Sequence, residues 1–411
     1  MADITINANA PSNGQIFGRP GIVWISPLIG YMFLKPNTDE LSYQKTTDGG
    51  QTWGSAVKVT SNLVYTACVV ASVWYDRWTP GDSGTKIHIV QMCRSGLGTV
   101  YRALDTATDT FGTQVLISTL SGGAHDYEGC FLSLTKSRGG NLYAAFHYYY
   151  TPGQFYRSVD GGANWTSRAT ALEIHFYDGY ILVPGGEADT NDCGCVYLDA
   201  SVNELTYKVY DNSADSWSES GSSVTCVGNY QFILFSAEQR HSDNHIIVAY
   251  LNAYDSATAD LKIWDITNLA TQTSKTNVLT DSAETVSPSI VINQINGDLY
   301  VFYARGTAIG SALKVFYKKS TNGGSTWGSE QAFTEGAESN IIGVWTCSSI
   351  GVDGGRIIAE WYNHYLYDII TNYANSIEIP VGVTTYRIKP IPAVSRVKPV
   401  FSPNREKPVI I

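Results

Sequence analysis

The stretch "STNGGSTWGS", Ser320–Ser329, decides the fold, because the chain repeats it twice: "TTDGGQTWGS" at Thr46–Ser55 and "SVDGGANWTS" at Ser158–Ser167. The shared octet is Ser/Thr-x-Asp/Asn-Gly-Gly-x-Thr/Asn-Trp. Side-chain oxygens at its first and third positions can hydrogen-bond the backbone of a turn. Two consecutive glycines permit the positive φ angles of a tight hairpin. The Trp can cover that turn and pack against a neighbouring sheet. Each octet therefore reads as a stapled β-hairpin, with Asp48 and Trp53, Asp160 and Trp165, and Asn322 and Trp327 as its structural pairs.

The third positions are 112 and 162 residues apart, both near multiples of 54–56. Seven apolar segments match that interval: "GYMFLKP" from 30, "KIHIVQM" from 86, "NLYAAFHYY" from 141, "GCVYLDA" from 194, "HIIVAYLNA" from 245, "DLYVFYAR" from 298 and "RIIAEWYN" from 356. Their starts differ by 51 to 58 residues, and a second short strand follows each. Degenerate octets fit the same place at 105–111 and 210–217. A period of this size with about four short strands per unit predicts a β-propeller. The expected fold is all-β and seven-bladed over residues 1–380, with the strand "DITIN" (3–7) closing the last blade and removing an open edge.

The octet closely resembles the Asp-box, or BNR repeat, of sialidase-like β-propellers. Asn322 in place of Asp is a departure in the third copy. The resemblance implies that the octets are structural and lie on the rim opposite the functional face. Sialidases proper resemble a six-bladed version, so a six-bladed sialidase-type propeller is the alternative fold.

On that scheme the opposite rim carries Arg19, His125, Asp126, Glu128, His147, Tyr148, Tyr149, His175, Tyr177, Asp178, Asp281, Glu284, Arg305, Glu335, Glu338, Tyr362 and His364. Aromatic rings stack on sugar faces, and carboxylates and imidazoles bond hydroxyls. The expected glycan-binding set is Arg19, His125, Asp126, Glu128, His147, Tyr149, His175, Tyr177, Tyr362 and His364.

Three functions are compatible with such a rim. A sialidase-like hydrolase needs three Arg around the substrate carboxylate, a Tyr–Glu nucleophile pair and an Asp acid. "FGRPGIV" (17–23) resembles the family's Arg-Ile-Pro motif imperfectly and offers Arg19, with Arg305 a positional guess for a second. A polysaccharide lyase needs a His base and a Tyr acid. "HDYEGCFLSLTKSRGGNLYAAFHYYY" (125–150) offers His125 or His147 as base, with Tyr148 or Tyr177 as acid. A non-catalytic carbohydrate-binding, adhesion or structural propeller needs only the fold and the aromatic rim. That third reading fits the sequence best.

Composition narrows the setting. The 411 residues are 44% hydrophobic and only 16% charged, with 27 Tyr and 38 Gly, as in turn-rich β proteins. A net charge of -10 argues against a nucleic-acid surface, and no apolar run is long enough to span a membrane. The polar start "MADITINANAPSNGQ" lacks a secretory signal, so a virion or extracellular location would be reached without one. That absence and the Tyr/Gly/Thr/Asn richness resemble bacteriophage virion and tail-associated accessory proteins. Seven scattered Cys have no zinc spacing and read as buried thiols. No cofactor is expected; the clustered acids at 187–194 and 211–216 could hold Ca²⁺, though they follow no calcium-loop pattern and read more simply as solvated turns.

Residues 381–411 depart from the repeat. Arg-x-Lys-Pro recurs every nine residues, through Arg387 and Lys389, Arg396 and Lys398, and Arg405 and Lys407. Pro at this density favours an extended chain. Six Lys/Arg stand against Glu406 alone. This surplus of five positive charges leaves the body fifteen negative, and marks a basic arm suited to docking on a partner in a larger assembly.

Overall fold

In the computed structural model of the chain, the described residues are 3–7, 21–37, 40–60, 68–93, 98–121, 130–148, 151–170, 178–227, 234–253, 260–280, 284–306, 313–336, 341–346, 349–351, 353–363 and 368–381. They form an all-β, seven-bladed propeller. Blade 1 comprises, from inner to outer strand, Gly21–Trp24, Gly30–Asn37, Glu40–Thr46 and Val57–Lys58. Blade 2 comprises Cys68–Tyr75, Lys86–Cys93, Thr99–Asp105 and Val115–Ser118, and blade 3 comprises Cys130–Lys136, Leu142–Tyr148, Gln154–Ser158 and Thr166–Ser167. Blade 4 comprises Gly179–Val183, Cys193–Asp199, Glu204–Asp211 and Ser216–Thr225, and blade 5 comprises Phe235–Gln239, Ile246–Leu251, Leu261–Asn268 and Thr271–Ser274. Blade 6 comprises Glu284–Asn293, Leu299–Gly306, Lys314–Ser320 and Gln331–Ala332.

Blade 7 takes three strands from one end of the sequence, Ile341–Thr346, Ala359–Asn363 and Asp368–Thr371, and the fourth, Ile4–Asn7, from the other. Ile4 pairs with Thr371 and Thr5 with Ile370, antiparallel. A short ribbon, Gly355–Ile357 with Ile377–Ile379, adds to this blade where its turns meet the octet side.

Burial follows position in the blade. The second strand is covered on both faces by neighbouring blades, so it is largely buried and mostly apolar instead of alternating. "IIVAYL" (Ile246–Leu251) is buried at every residue, while the outer strands Val57–Lys58 and Gln331–Ala332 are fully exposed. Hydroxyls link successive inner strands: Leu134 N–H donates to Ser72 Oγ (3.2 Å), Leu182 N–H to Ser133 Oγ (2.9 Å) and Ile290 N–H to Ser236 Oγ (2.7 Å). Cys93, Cys193, Cys195 and Cys226 are free, buried thiols.

The three octets form the turns between third and fourth strands of blades 1, 3 and 6. In blade 3, Ser158 Oγ accepts from Gly162 N–H (2.8 Å) and donates to Asp160 Oδ1 (2.8 Å). Asp160 also accepts from Asn164 N–H (2.9 Å) and Asn164 Nδ2 (2.7 Å). Gly161 and Gly162 have φ of 71° and 95°. The same bonds recur around Thr46 and Asp48, and around Ser320 and Asn322. Asn322 keeps the staple by reversing one bond, its Nδ2 donating to Thr326 Oγ1 (2.8 Å) where Asp48 accepts from Thr52 Oγ1 (2.6 Å).

The degenerate octets at 105–111 and 210–217 fold differently. Each is an Asp-x-x-x-Asp turn whose second Asp occupies the left-handed region, Asp109 at φ 54° and Asp215 at φ 52°. Lacking Gly-Gly, they place a short polar side chain where one L-residue must take positive φ. Asp109 then accepts from Tyr31 and from Lys45 Nζ (2.5 Å) of blade 1.

Candidate functional site

Turns joining first to second and third to fourth strands lie on the octet face. The remaining connections lie on the opposite rim. Arg19, His125, Asp126, Glu128, Tyr149, His175, Tyr177 and His364 fall outside the described residues, as do Asp281 and Glu338. So do Arg387, Lys389, Arg396, Lys398, Arg405 and Lys407 of the arm. Tyr362 is placed by its backbone, opposite Gly343 and Ile369 in blade 7.

His147 ends the second strand of blade 3 at the opposite rim, paired with Phe131. Its ring packs against Phe131 (centroids 5.5 Å apart) and Tyr180 (5.5 Å). Burial pushes the imidazole down to about 4, so it is neutral at physiological pH. Its Nε2 is buried and has no hydrogen-bond partner among the described residues. Tyr180 donates to Phe131 O (3.1 Å). Gly179 fits between the rings of Phe131 and Phe235, which a Cβ at that position would touch at 3.2 and 3.3 Å. The first strands of blades 3, 4 and 5 thus bring Phe131, Tyr180 and Phe235 together beside His147. The sequence signal was present in the openings of "CFLSLTK", "GYILV" and "FSAEQ", but it is visible only when first strands are aligned.

The other rim residues are engaged within the chain. Asp178 accepts from Tyr197 OH (2.6 Å) and Ala200 N–H (3.0 Å). Tyr148 is partly buried against the hydrophobic core, and its backbone N–H donates to Thr151 Oγ1 (3.1 Å). Arg305 Nη1 donates to Glu330 Oε1 (2.6 Å), which also accepts from Tyr303 OH (2.7 Å). Arg77, Arg168, Arg240 and Arg356 pair with Asp353, Asp215, Asp243 and Glu378 at separate places on the ring.

The octet end of the axis is closed. The loop after the first strand of blade 2 carries a single helical turn, Asp76–Trp78. Thr79 Oγ1 donates to Lys136 O of blade 3 (3.0 Å), Trp78 O meets His241 Nε2 of blade 5 (3.1 Å), and Arg77 pairs with Asp353 of blade 7. Blades 5 and 7 are not neighbours of blade 2, so this loop crosses the axis. Beneath it lies a buried chain in which His88 Nε2 meets Asp76 Oδ1 (2.9 Å), Lys136 Nζ donates to that oxygen (2.5 Å), and His88 Nδ1 meets Tyr101 OH (2.7 Å). No sequence pattern announced this plug.

The acid-rich turns serve their own backbone. Asp189 accepts from Asn191 N–H (2.8 Å), Asp192 from Asn212 N–H (2.9 Å), and Asp211 from Ser213 and Ala214 N–H. Among the described residues no group of three or more His, Cys, Asp or Glu has the geometry to hold a metal ion. None of the described helices is long and apolar enough to cross a membrane.

No family model matches the chain, and no curated protein matches it. Among solved structures it is similar to an ulvan lyase described as a new family of polysaccharide lyase. The TM-score is 0.56 at 9% identity, covering 92% of this chain and 96% of that one. It also aligns with a Hadza microbial sialidase, TM-score 0.47 at 13% identity, covering 92% of this chain and 68% of that one. The lectin of Aleuria aurantia aligns with a TM-score of 0.48 at 12% identity, covering 81% and 99%. At 9% identity the likeness to the ulvan lyase bears on the fold alone.

Proposed function

We propose that this chain is an Asp-box propeller that recognises a glycan by binding without cleavage, as an accessory protein of a virion or phage tail. The observation that carries the reading is an aromatic cluster at the end of blades 3 to 5 opposite the octets, in which the partly exposed Phe131 packs on His147 and Tyr180 and meets Phe235 across Gly179. An exposed ring of this kind stacks on sugar faces, and Phe131 presents part of its ring with the buried rings and neutral imidazole supporting it from beneath. The alignment with a polysaccharide lyase over nearly both lengths supports a glycan as ligand. The virion setting rests on composition. A glycan array followed by mass analysis of the bound sugars tests the reading. Retention of intact glycan is expected; release of sialic acid or of unsaturated uronate overturns it.

One observation favours lyase chemistry as a second reading: the unpaired Nε2 of a neutral His147 beside Tyr180. A base that titrates near 4 is poorly matched to proton abstraction at neutral pH, which is why binding is preferred. His147→Phe keeps the aromatic packing and removes the base. Ultraviolet absorbance from uronate substrates that disappears in this variant would establish the lyase.

A further inference from the structure

The crossing loop of blade 2 is held between two histidines. On one side lies His88, near the octet end of the second strand of blade 2 and only 2% exposed. Its Nε2 meets Asp76 Oδ1 at 2.9 Å. That carboxylate fixes the tautomer: Nε2 carries the hydrogen, and Nδ1 accepts from Tyr101 OH (2.7 Å). On the other side lies the partly buried His241, in the turn between first and second strands of blade 5. Its Nε2 donates to Trp78 O (3.1 Å).

Neither imidazole takes up a second proton in place without cost. Asp76 Oδ1 also accepts from Lys136 Nζ (2.5 Å), so a charged His88 would set two cations on one buried oxygen. Lys136 is shared with Asp82 (2.7 Å), and Lys86 lies two residues along the strand from His88. A proton on Nδ1 would also force Tyr101 to turn its hydroxyl hydrogen to Gly161 O (3.0 Å). Burial pushes the His88 imidazole down; Asp76 opposes this, and Lys136 and Lys86 reinforce it. Burial likewise pushes His241 down, with Trp78 O acting the other way. The charges next to His241 and Trp78 in the chain, Arg240 and Arg77, are paired with Asp243 and Asp353. Burial also works against the charge on Asp76, but hydrogen bonds from His88 and Lys136 outweigh it and hold the carboxyl well below the usual range.

We infer that the crossing loop is an acid-released stopper: protons taken up by His88 and His241 lift it from blades 3, 5 and 7 and uncover the octet end of the axis. Lifting the loop carries Asp76 and Trp78 away and hydrates both rings. Tyr101 is the two-state element of the latch, bonded to Nδ1 in the closed form and to Gly161 O once Nδ1 is protonated. In the lifted loop each imidazole titrates at its ordinary 6.5, and closure holds it lower. The closed form is therefore fully favoured above 6.5 and loses ground as pH falls below that value. Each proton shifts the opening equilibrium by up to about tenfold per pH unit, and two protons by up to about a hundredfold. The latch is independent of what the opposite rim binds.

Hydrogen exchange of the full chain at about pH 7.5 and about pH 5.5, read by mass spectrometry and corrected for the intrinsic pH dependence of amide exchange, tests the inference. Opening of residues 76–85 is expected to rise at least about tenfold at the lower pH, while the buried strand Ile246–Leu251 keeps its protection. His88→Gln and His241→Gln keep an N–H donor and do not titrate. Each is expected to remove part of the pH dependence, and the double variant all of it. Arg77→Gln breaks the pair with Asp353 and is expected to raise opening at both pH values with the dependence intact. Loop protection in the full chain that is the same at both pH values overturns the inference without recourse to variants. So does a dependence that survives in a folded double variant, or one that vanishes in Arg77→Gln and so belongs to Asp353. Acid loss of protection that strikes Ile246–Leu251 equally reports global unfolding and overturns it as well.

Discussion

Gly162 shows how tightly one position can be specified. Its φ of 95° disfavours any side chain, and a Cβ there would run into the ring of Tyr101 from blade 2. Gly161 has φ of 71° with open space where its Cβ would stand. Gly161→Ala is expected to cost about 1–2 kcal/mol from backbone strain alone. Gly162→Ala is expected to cost about 1–3 kcal/mol more, because the ring must move. Denaturant unfolding of the pair separates the two effects. Glu360, in the second strand of blade 7, makes the opposite kind of case. Its side chain is buried, its Oε2 has no partner among the described residues, and burial raises the carboxyl to about 8. The folded state keeps a proton that the unfolded chain releases near 4.5. The favourable balance is therefore complete in acid below that value. Stability is eroded as pH rises from there through about 8, and levels off above it. Glu360→Gln is expected to flatten that decline and to add on the order of 4 kcal/mol at pH 8, read from melts across pH.

At the scale of the hairpin, the octet is a small hydrogen-bonding device whose first residue matters most. Ser158 is buried, and its hydroxyl is the acceptor for Gly162 N–H. Ser158→Ala leaves that donor unpaired and is expected to cost about 1–3 kcal/mol. Asn322→Asp only restores the bonding direction seen at Asp48 and is expected to change unfolding by less than about 0.5 kcal/mol. These hairpins were legible in the sequence because Gly-Gly and Trp have few other uses at that spacing. The turns of blades 2 and 4 stand at the place of the octets, after the third strand, but turn by a different device. There the left-handed residue is Asp109 or Asp215, and Asp carries no conformational signature in a sequence rich in polar turns. His147 was legible as a rim residue from its place after an apolar run. Its burial was not, because Phe131 and Tyr180 come from strands of two different blades.

The whole ring depends on a strand borrowed from the far end of the chain. Deleting residues 1–7 leaves Asp368–Thr371 as an unpaired edge, which invites pairing between molecules. A lower melting temperature and concentration-dependent light scattering are expected, both reversed by adding the missing strand as a peptide. Seven repeats at near-constant spacing made the architecture readable before any contact was known. The crossing loop was not readable, since Trp78 and His241 stand 163 residues apart and meet only once the ring has closed. That loop sets a limit on traffic. With one end of the axis stoppered by Trp78, no polymer can be threaded through the molecule. Any molecule that enters the axis from the opposite rim therefore has to leave by that same rim.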